Sequence, residues 1–245
     1  GSQVVGMTEK NKRCLRQFDD DHNRQLLLSL PDRLIKIAQS QSGERAAIAV
    51  QKAIVIELLL MVPLRMVNVI SLQFGNHLVK PGGNRGNYLL TIPGKEIKNE
   101  QPFEVQLPQL LTNYIDTYRE LHIPTITLPD NRYLFPNKAD GHKAQATLSQ
   151  QIKETIKQHT GLDMTGHLFR HLCGKLFLEA NPGQYEIIRQ ILGHKNLKTT
   201  VNFYTGINTK ESTRVFDALV LGERQRLLDQ STSGNPKKEK TSTHK

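Results

Sequence analysis

The sequence predicts a mainly α-helical domain carrying one small three-stranded antiparallel sheet, an α+β fold. Three observations predict it. Apolar residues recur at helical spacing along most of the chain, while residues 73–108 alone switch to short β-prone runs. Those runs are punctuated by Gly75, Gly82, Gly83 and Gly86, which helices avoid and tight turns use. Finally, 245 residues give ample length for a real core, in one large domain or two small ones.

The elements follow in order. Gly1-Ser2 reads as a cloning remnant, and residues 1 to about 18 read as a loosely ordered lead. Asp19-Asp20-Asp21 then opens the pattern Leu26, Leu27, Leu28, Leu30, Leu34, Ile35, Ile37, which Pro31 divides into two short helices. The three aspartates suit a helix N-terminus better than a metal site, because adjacent residues do not converge on one ion. After a polar break at Ser40–Gly43, a long helix is expected from about Glu44 to Val62. Its most apolar run, Ala53–Leu64, carries Glu57 and falls short of the roughly 20 residues of a membrane span, so it reads as a buried helix. Pro63 starts a new turn leading into Arg65 and Leu72.

The three strands are expected at His77–Val79, Tyr88–Ile92 and Phe103–Leu107, with the last hairpin turning across Gly94–Gln101. Pro108 opens a helix to about Leu121, and a loop with Pro124, Pro129 and Pro136 follows. Further helices are expected at about Leu148–His159, Gly166–Ala180, Gln184–Leu192, Leu197–Phe203 and Lys210–Leu228. The domain therefore spans residues 19–230, and the Ser-, Thr- and Lys-rich stretch 231–245 reads as a disordered basic tail.

Lys and Arg total 33 against 23 Asp and Glu, a formal charge of +10. Such an excess favours a polyanionic partner, because basic side chains release condensed counterions on binding nucleic acid. Two cysteines, Cys14 and Cys173, imply no disulfide framework and suit a reducing cytoplasm.

The chemistry-bearing residues lie between His167 and Tyr204. His167 and Arg170, three apart on one helix, project from the same face. Arg170 offers a planar fork matching two phosphate oxygens, which lysine does not copy. His171, one position around, is read as turning toward a neighbouring segment. Leu192-Gly193-His194 looks like a helix end with glycine at the C-cap, directing His194 back to the same pocket. Tyr204 follows ten residues later. Two histidines, an arginine and a tyrosine can grip a phosphate, move protons and supply an oxygen nucleophile, the ingredients of phosphodiester chemistry through a covalent tyrosine.

The His167-x-x-Arg170, Leu192-Gly193-His194 and Tyr204 series resembles the tyrosine recombinases, the phage-integrase superfamily of DNA strand-exchange enzymes. The likeness covers about residues 20–228 and implies the recombinase catalytic-domain fold. The spacing from His194 to Tyr204 is one longer than the commonest family pattern, and Thr199-Thr200 supports the assignment. Tyr88, Tyr114, Tyr118, Tyr133 and Tyr185 lack that context. The resemblance implies two upstream partners. Arg65 matches the family's first arginine, with Pro63 for the usual glycine and Asn68 where an acidic residue is frequent. A hairpin lysine is implied at Lys95 or Lys98, and Lys98-Asn99 ahead of Leu107-Pro108 favours Lys98.

By that resemblance Arg65, Arg170 and His194 hold the scissile phosphate, Tyr204 attacks it, His167 is the base, and Lys98 is the general acid. The partners implied are double-stranded DNA and further copies of the chain: a tetramer on DNA, a monomer when free. No cofactor or metal is implied, since the phosphotyrosyl link stores the bond energy. The resemblance also implies an isolated catalytic domain of a bacterial mobile-element integrase, without the N-terminal clamp many relatives carry. Val215, Phe216, Leu219 and Val220 form an apolar face that either packs on its own domain or docks on a neighbouring protomer. The rival readings are a type IB topoisomerase, a catalytically silent DNA-binding module and, last, a metal-dependent nuclease.

Overall fold

The computed structural model describes residues 7–97 and 102–194, with Gly222, residues 224–226 and Asp229 of a later helical stretch. The expected helix Leu197–Phe203, most of Lys210–Leu228 and the tail lie outside the described residues, as do Lys98 and Tyr204.

Helix α4 (Gly43–Met61) is the axis of the domain. Apolar side chains surround it on nearly every face, which is the pattern of a helix with no solvent side. Ala53, Ile54, Val55, Ile56, Leu58 and Leu59 are all fully buried. Glu57 is buried among them, and burial raises its carboxyl pKa. Against α4 pack α3 (Leu30–Gln39), α6 (Gln109–Thr117), α7 (Gln145–Thr160) and α8 (Gly166–Ala180). No helix among the described residues is long and apolar enough to cross a membrane.

The break expected around Pro31 falls at Ser29, between α2 (Asp21–Leu28) and α3. Proline in the first turn of α3 is tolerated there because its missing N–H is one of the helix's unpaired donors. The Asp20 side chain caps α2, accepting from His22 N–H at 2.8 Å.

From Met7 on, the described part of the lead is more ordered than its composition implies. Glu9–Arg16 forms α1, capped by the Thr8 hydroxyl, with Leu15 and Phe18 fully buried. An ionic cluster ties this region to α8. Lys175, only 1% exposed, reaches Asp19 and Glu179 at 2.7 Å each, and Arg24 also pairs with Glu179. Removing one member of a buried pair leaves a desolvated charge behind, at a cost of about 3 kcal/mol. Lys175→Ala is therefore expected to lose about 3 kcal/mol in urea unfolding; a loss below about 1 kcal/mol contradicts a tightly coupled cluster.

The sheet is antiparallel in the order β1 (Leu78–Val79), β2 (Leu89–Ile92), β3 (Phe103–Gln106), as its Gly-punctuated runs predict. Leu90 and Ile92 point into the core, alternating with half-exposed Leu89 and Thr91. The pairing Ile92↔Phe103 sets the base of the β2–β3 hairpin. Helix α6 ends earlier than the expected Leu121: a π-helical turn, Tyr118–His122, replaces its last turn. Tyr118 is fully buried there and its hydroxyl accepts from Gln51 Nε2 at 2.8 Å.

Candidate active site

Two junctions place the candidate residues. The first is the bend after α4, where Pro63 and Leu64 carry the chain to Arg65, the N-cap of α5 (Met66–Ile70). The second is the end of α9 (Tyr185–Leu192), where Gly193 takes the left-handed conformation at φ 64°. A residue with a Cβ is strained there, so glycine stops the helix and turns the chain. His194 N–H then bonds Arg189 carbonyl at 3.0 Å, and Arg189 Nη1 holds the His194 carbonyl at 3.1 Å.

Helix α8 lies between the two junctions. Its first residue, Gly166, passes so close to Met66 that a Cβ would sit 2.5 Å from the Met66 sulfur. Any larger residue there would force the Met66 side chain to shift. Arg170, buried one turn later, bridges the junctions: Nη1 donates to the Pro63 carbonyl and Nη2 to the Leu192 carbonyl at 2.5 Å. These bonds use two of the five guanidinium donors and fix the plane of the fork.

A cleft opens over this bridge. Arg65, Asn68 and Arg170 line it from the helical side and Gly193 from the end of α9, while Ile97 and Pro102-Phe103 bring both described ends of the hairpin to its rim. Burial lowers the pKa of both His167 and His194, and the charges of Arg170 and then Arg65 lower both further. Arg65, His167, Arg170 and His194 are thus one electrostatic neighbourhood. Both imidazoles are held toward the neutral form, able to accept a proton near neutral pH.

His171 is buried on α8. It faces His167, one helical turn before it, with Nε2···Nε2 at 3.0 Å and the rings edge to face. The two nitrogens share a single proton, since one must donate and the other accept. The i, i+4 spacing signals this pair in the sequence. Burial, then the charges of His167, Arg170 and His194, push the His171 pKa down to about 3. Its unfolded value is about 6.5, so between these values the unfolded chain binds a proton that the folded chain does not. Stability from this group is complete above about pH 6.5 and is lost as pH falls toward 3. Across pH 6 to 4, wild type is expected to lose about 1.4 kcal/mol per pH unit more than His171→Asn. Equal pH slopes in urea unfolding contradict this.

Cys173, read as a small core residue, is partly buried with its thiol toward the Leu60 carbonyl at 3.7 Å. Burial raises its pKa to about 11, which keeps it an inert thiol.

A helical domain with a small sheet that sets two arginines in one cleft, with two histidines within reach of their charge, suits an anionic group. The chain belongs to the phage integrase family, whose sequence profile matches residues 31–211. Solved structures agree in fold. XerH site-specific recombinase, crystallised with a palindromic difH substrate as a post-cleavage complex, superposes with a TM-score of 0.54 at 17% identity, over 80% of this chain and 52% of XerH. XerA recombinase gives 0.52 at 18% identity, over 87% of this chain and 64% of XerA. The chain therefore spans between half and two thirds of these proteins. No curated protein matches it by sequence.

Proposed function

We propose that the chain is the DNA-cleaving domain of a site-specific recombinase working through a 3′-phosphotyrosyl intermediate. One observation supports this most: Arg65 and Arg170, far apart in the sequence, line one cleft with the hairpin ends and both act on His167 and His194. In the proposed reaction the two arginines and His194 bind the nonbridging oxygens of the scissile phosphate and offset the charge that develops there. The Tyr204 oxygen attacks phosphorus while His167 takes its proton. The bond from phosphorus to the 5′ oxygen breaks, and Lys98 gives that oxygen a proton. Attack by a 5′-hydroxyl reverses the sequence and rejoins a strand. Phosphodiester energy is conserved in the tyrosyl ester, so the reaction needs neither ATP nor metal.

The proposed partners are double-stranded DNA and three further copies of the chain on it, with a monomer when free. A bacterial cytoplasm and a mobile element are the proposed setting. XerH, which shares the fold, is a site-specific recombinase bound to a palindromic difH substrate.

The test uses duplexes recovered from a random pool by repeated retention on the protein, then nicked close to the cleavage point. A nick lets the short 5′-hydroxyl fragment diffuse away, so the covalent product accumulates. An adduct that survives denaturation and forms equally with a chelator present is expected. No adduct, or cleavage that the chelator abolishes, overturns the proposal.

A further inference from the structure

The turn entering the hairpin has one apolar anchor, the half-buried Ile97 that packs against the core at its end. Gly94–Glu96 is a single 3-10 turn with no buried residue, closed by Glu96 N–H to Pro93 carbonyl at 2.9 Å and Ile97 N–H to Gly94 carbonyl at 3.0 Å. Lys95 sits inside it, and Lys98 follows directly after Ile97. Whichever lysine serves as general acid, its approach to the cleft depends on how this turn is held.

Among the described residues, two polar side chains also hold it, and both converge on Glu96. Asn68, on α5 beside Arg65, donates from Nδ2 to the Glu96 carbonyl at 3.0 Å. A carboxylate at position 68 has no proton for this bond, which gives the amide a reason to stand there. His77, buried ahead of β1, meets the Glu96 carboxylate through Nε2 at 2.8 Å. Its Nδ1 accepts from Gln73 N–H at 3.0 Å, so the ring proton lies on Nε2 and is donated to Glu96. His77 is itself fixed, since its N–H donates to Gln73 carbonyl and its carbonyl accepts from Thr91 on β2. The turn is thus latched on one side to the helix after the first arginine and on the other to the sheet.

We propose that Glu96, with Asn68 and His77, is a positioning residue that presents the hairpin lysine to the departing 5′ oxygen. This rests on the recombinase reading above. Glu96 does not touch the reacting atoms in this assignment. It acts through the lysine, so its loss slows only the step that needs a proton on the leaving group.

Replacing the 5′ bridging oxygen of the scissile phosphate by sulfur removes that need. A thiol ionises near pH 8.5, whereas water ionises near 15.7, so a thiolate departs without a proton. The experiment measures adduct formation on nicked duplexes with oxygen or sulfur at that position. On oxygen, Glu96→Ala is expected to be about 10- to 100-fold slower than wild type. On sulfur the two proteins should agree within about threefold, and Glu96→Gln, which still accepts from His77, should stay near wild type on both. Should Glu96→Ala unfold, Asn68→Asp carries the test, with the same loss on oxygen and recovery on sulfur. Equal slowing on both substrates, or no slowing on oxygen, overturns the latch. Failure of wild type to form an adduct with either duplex overturns the recombinase reading itself, and the latch with it.

Discussion

Tyr204→Phe is expected to bring covalent attachment to DNA below detection while leaving duplex retention within about threefold of wild type. Phenylalanine keeps the ring and loses only the oxygen that forms the bond to phosphorus. Among the described residues, His167 and His194 are held toward neutrality and are assigned proton transfer and phosphate contact rather than attack. Tyr88 and Tyr118 are buried, and burial raises both pKa values, which disfavours phenolate formation. Gel-based adduct counting at saturating DNA checks this. Adduct persisting in Tyr204→Phe contradicts the assignment; loss of retention together with adduct makes Tyr204 a binding residue.

Arg170→Ala is expected to slow adduct formation by about 10²- to 10³-fold, the range seen when one donor to a developing oxyanion is removed. Arg170→Lys should recover less than a tenth of that loss. A lysine ammonium is a point donor on a flexible stem and does not span the Pro63 and Leu192 carbonyls in one plane as the guanidinium does. Because those bonds join two chain junctions, Arg170→Ala also loosens the bend before Arg65 and the turn before His194. Single-turnover rates at saturating DNA, read beside urea midpoints, separate the two effects. A lysine variant with wild-type rate contradicts the planar-fork account.

Much of this fold is legible in the sequence because periodicity reports which face of an element is buried. Helix α8 occupies Gly166–Ala180, the range its pattern predicts, and the three strands fall within the expected runs. The exceptions have local causes. Helix α1 carries one buried apolar residue, Leu15, among charged neighbours, and what orders it is distant: Phe18 in the core and Asp19 on Lys175. Helix α6 gives way to a π turn where Tyr118 is drawn inward to Gln51, a partner far away in sequence.

The site divides the same way. Helical spacing alone joins His167, Arg170 and His171, and the glycine at 193 announces the turn at His194. Nothing in local periodicity joins Arg65 to Arg170; only the resemblance to the family's motifs pairs them, and in the structure both line one cleft. The Glu96–His77 contact is harder still. It crosses from the loop before β1 to the turn after β2, and its register depends on the sheet rather than on either residue's neighbours.

The most direct measurement digests the covalent complex with protease and identifies by mass the peptide that retains nucleotide, with the DNA labelled to show which end is attached. The account predicts one modified residue, Tyr204, bearing a 3′-phosphate, with a free 5′-hydroxyl on the released strand. Nucleotide on another residue, or a linkage to the 5′ end, would contradict it.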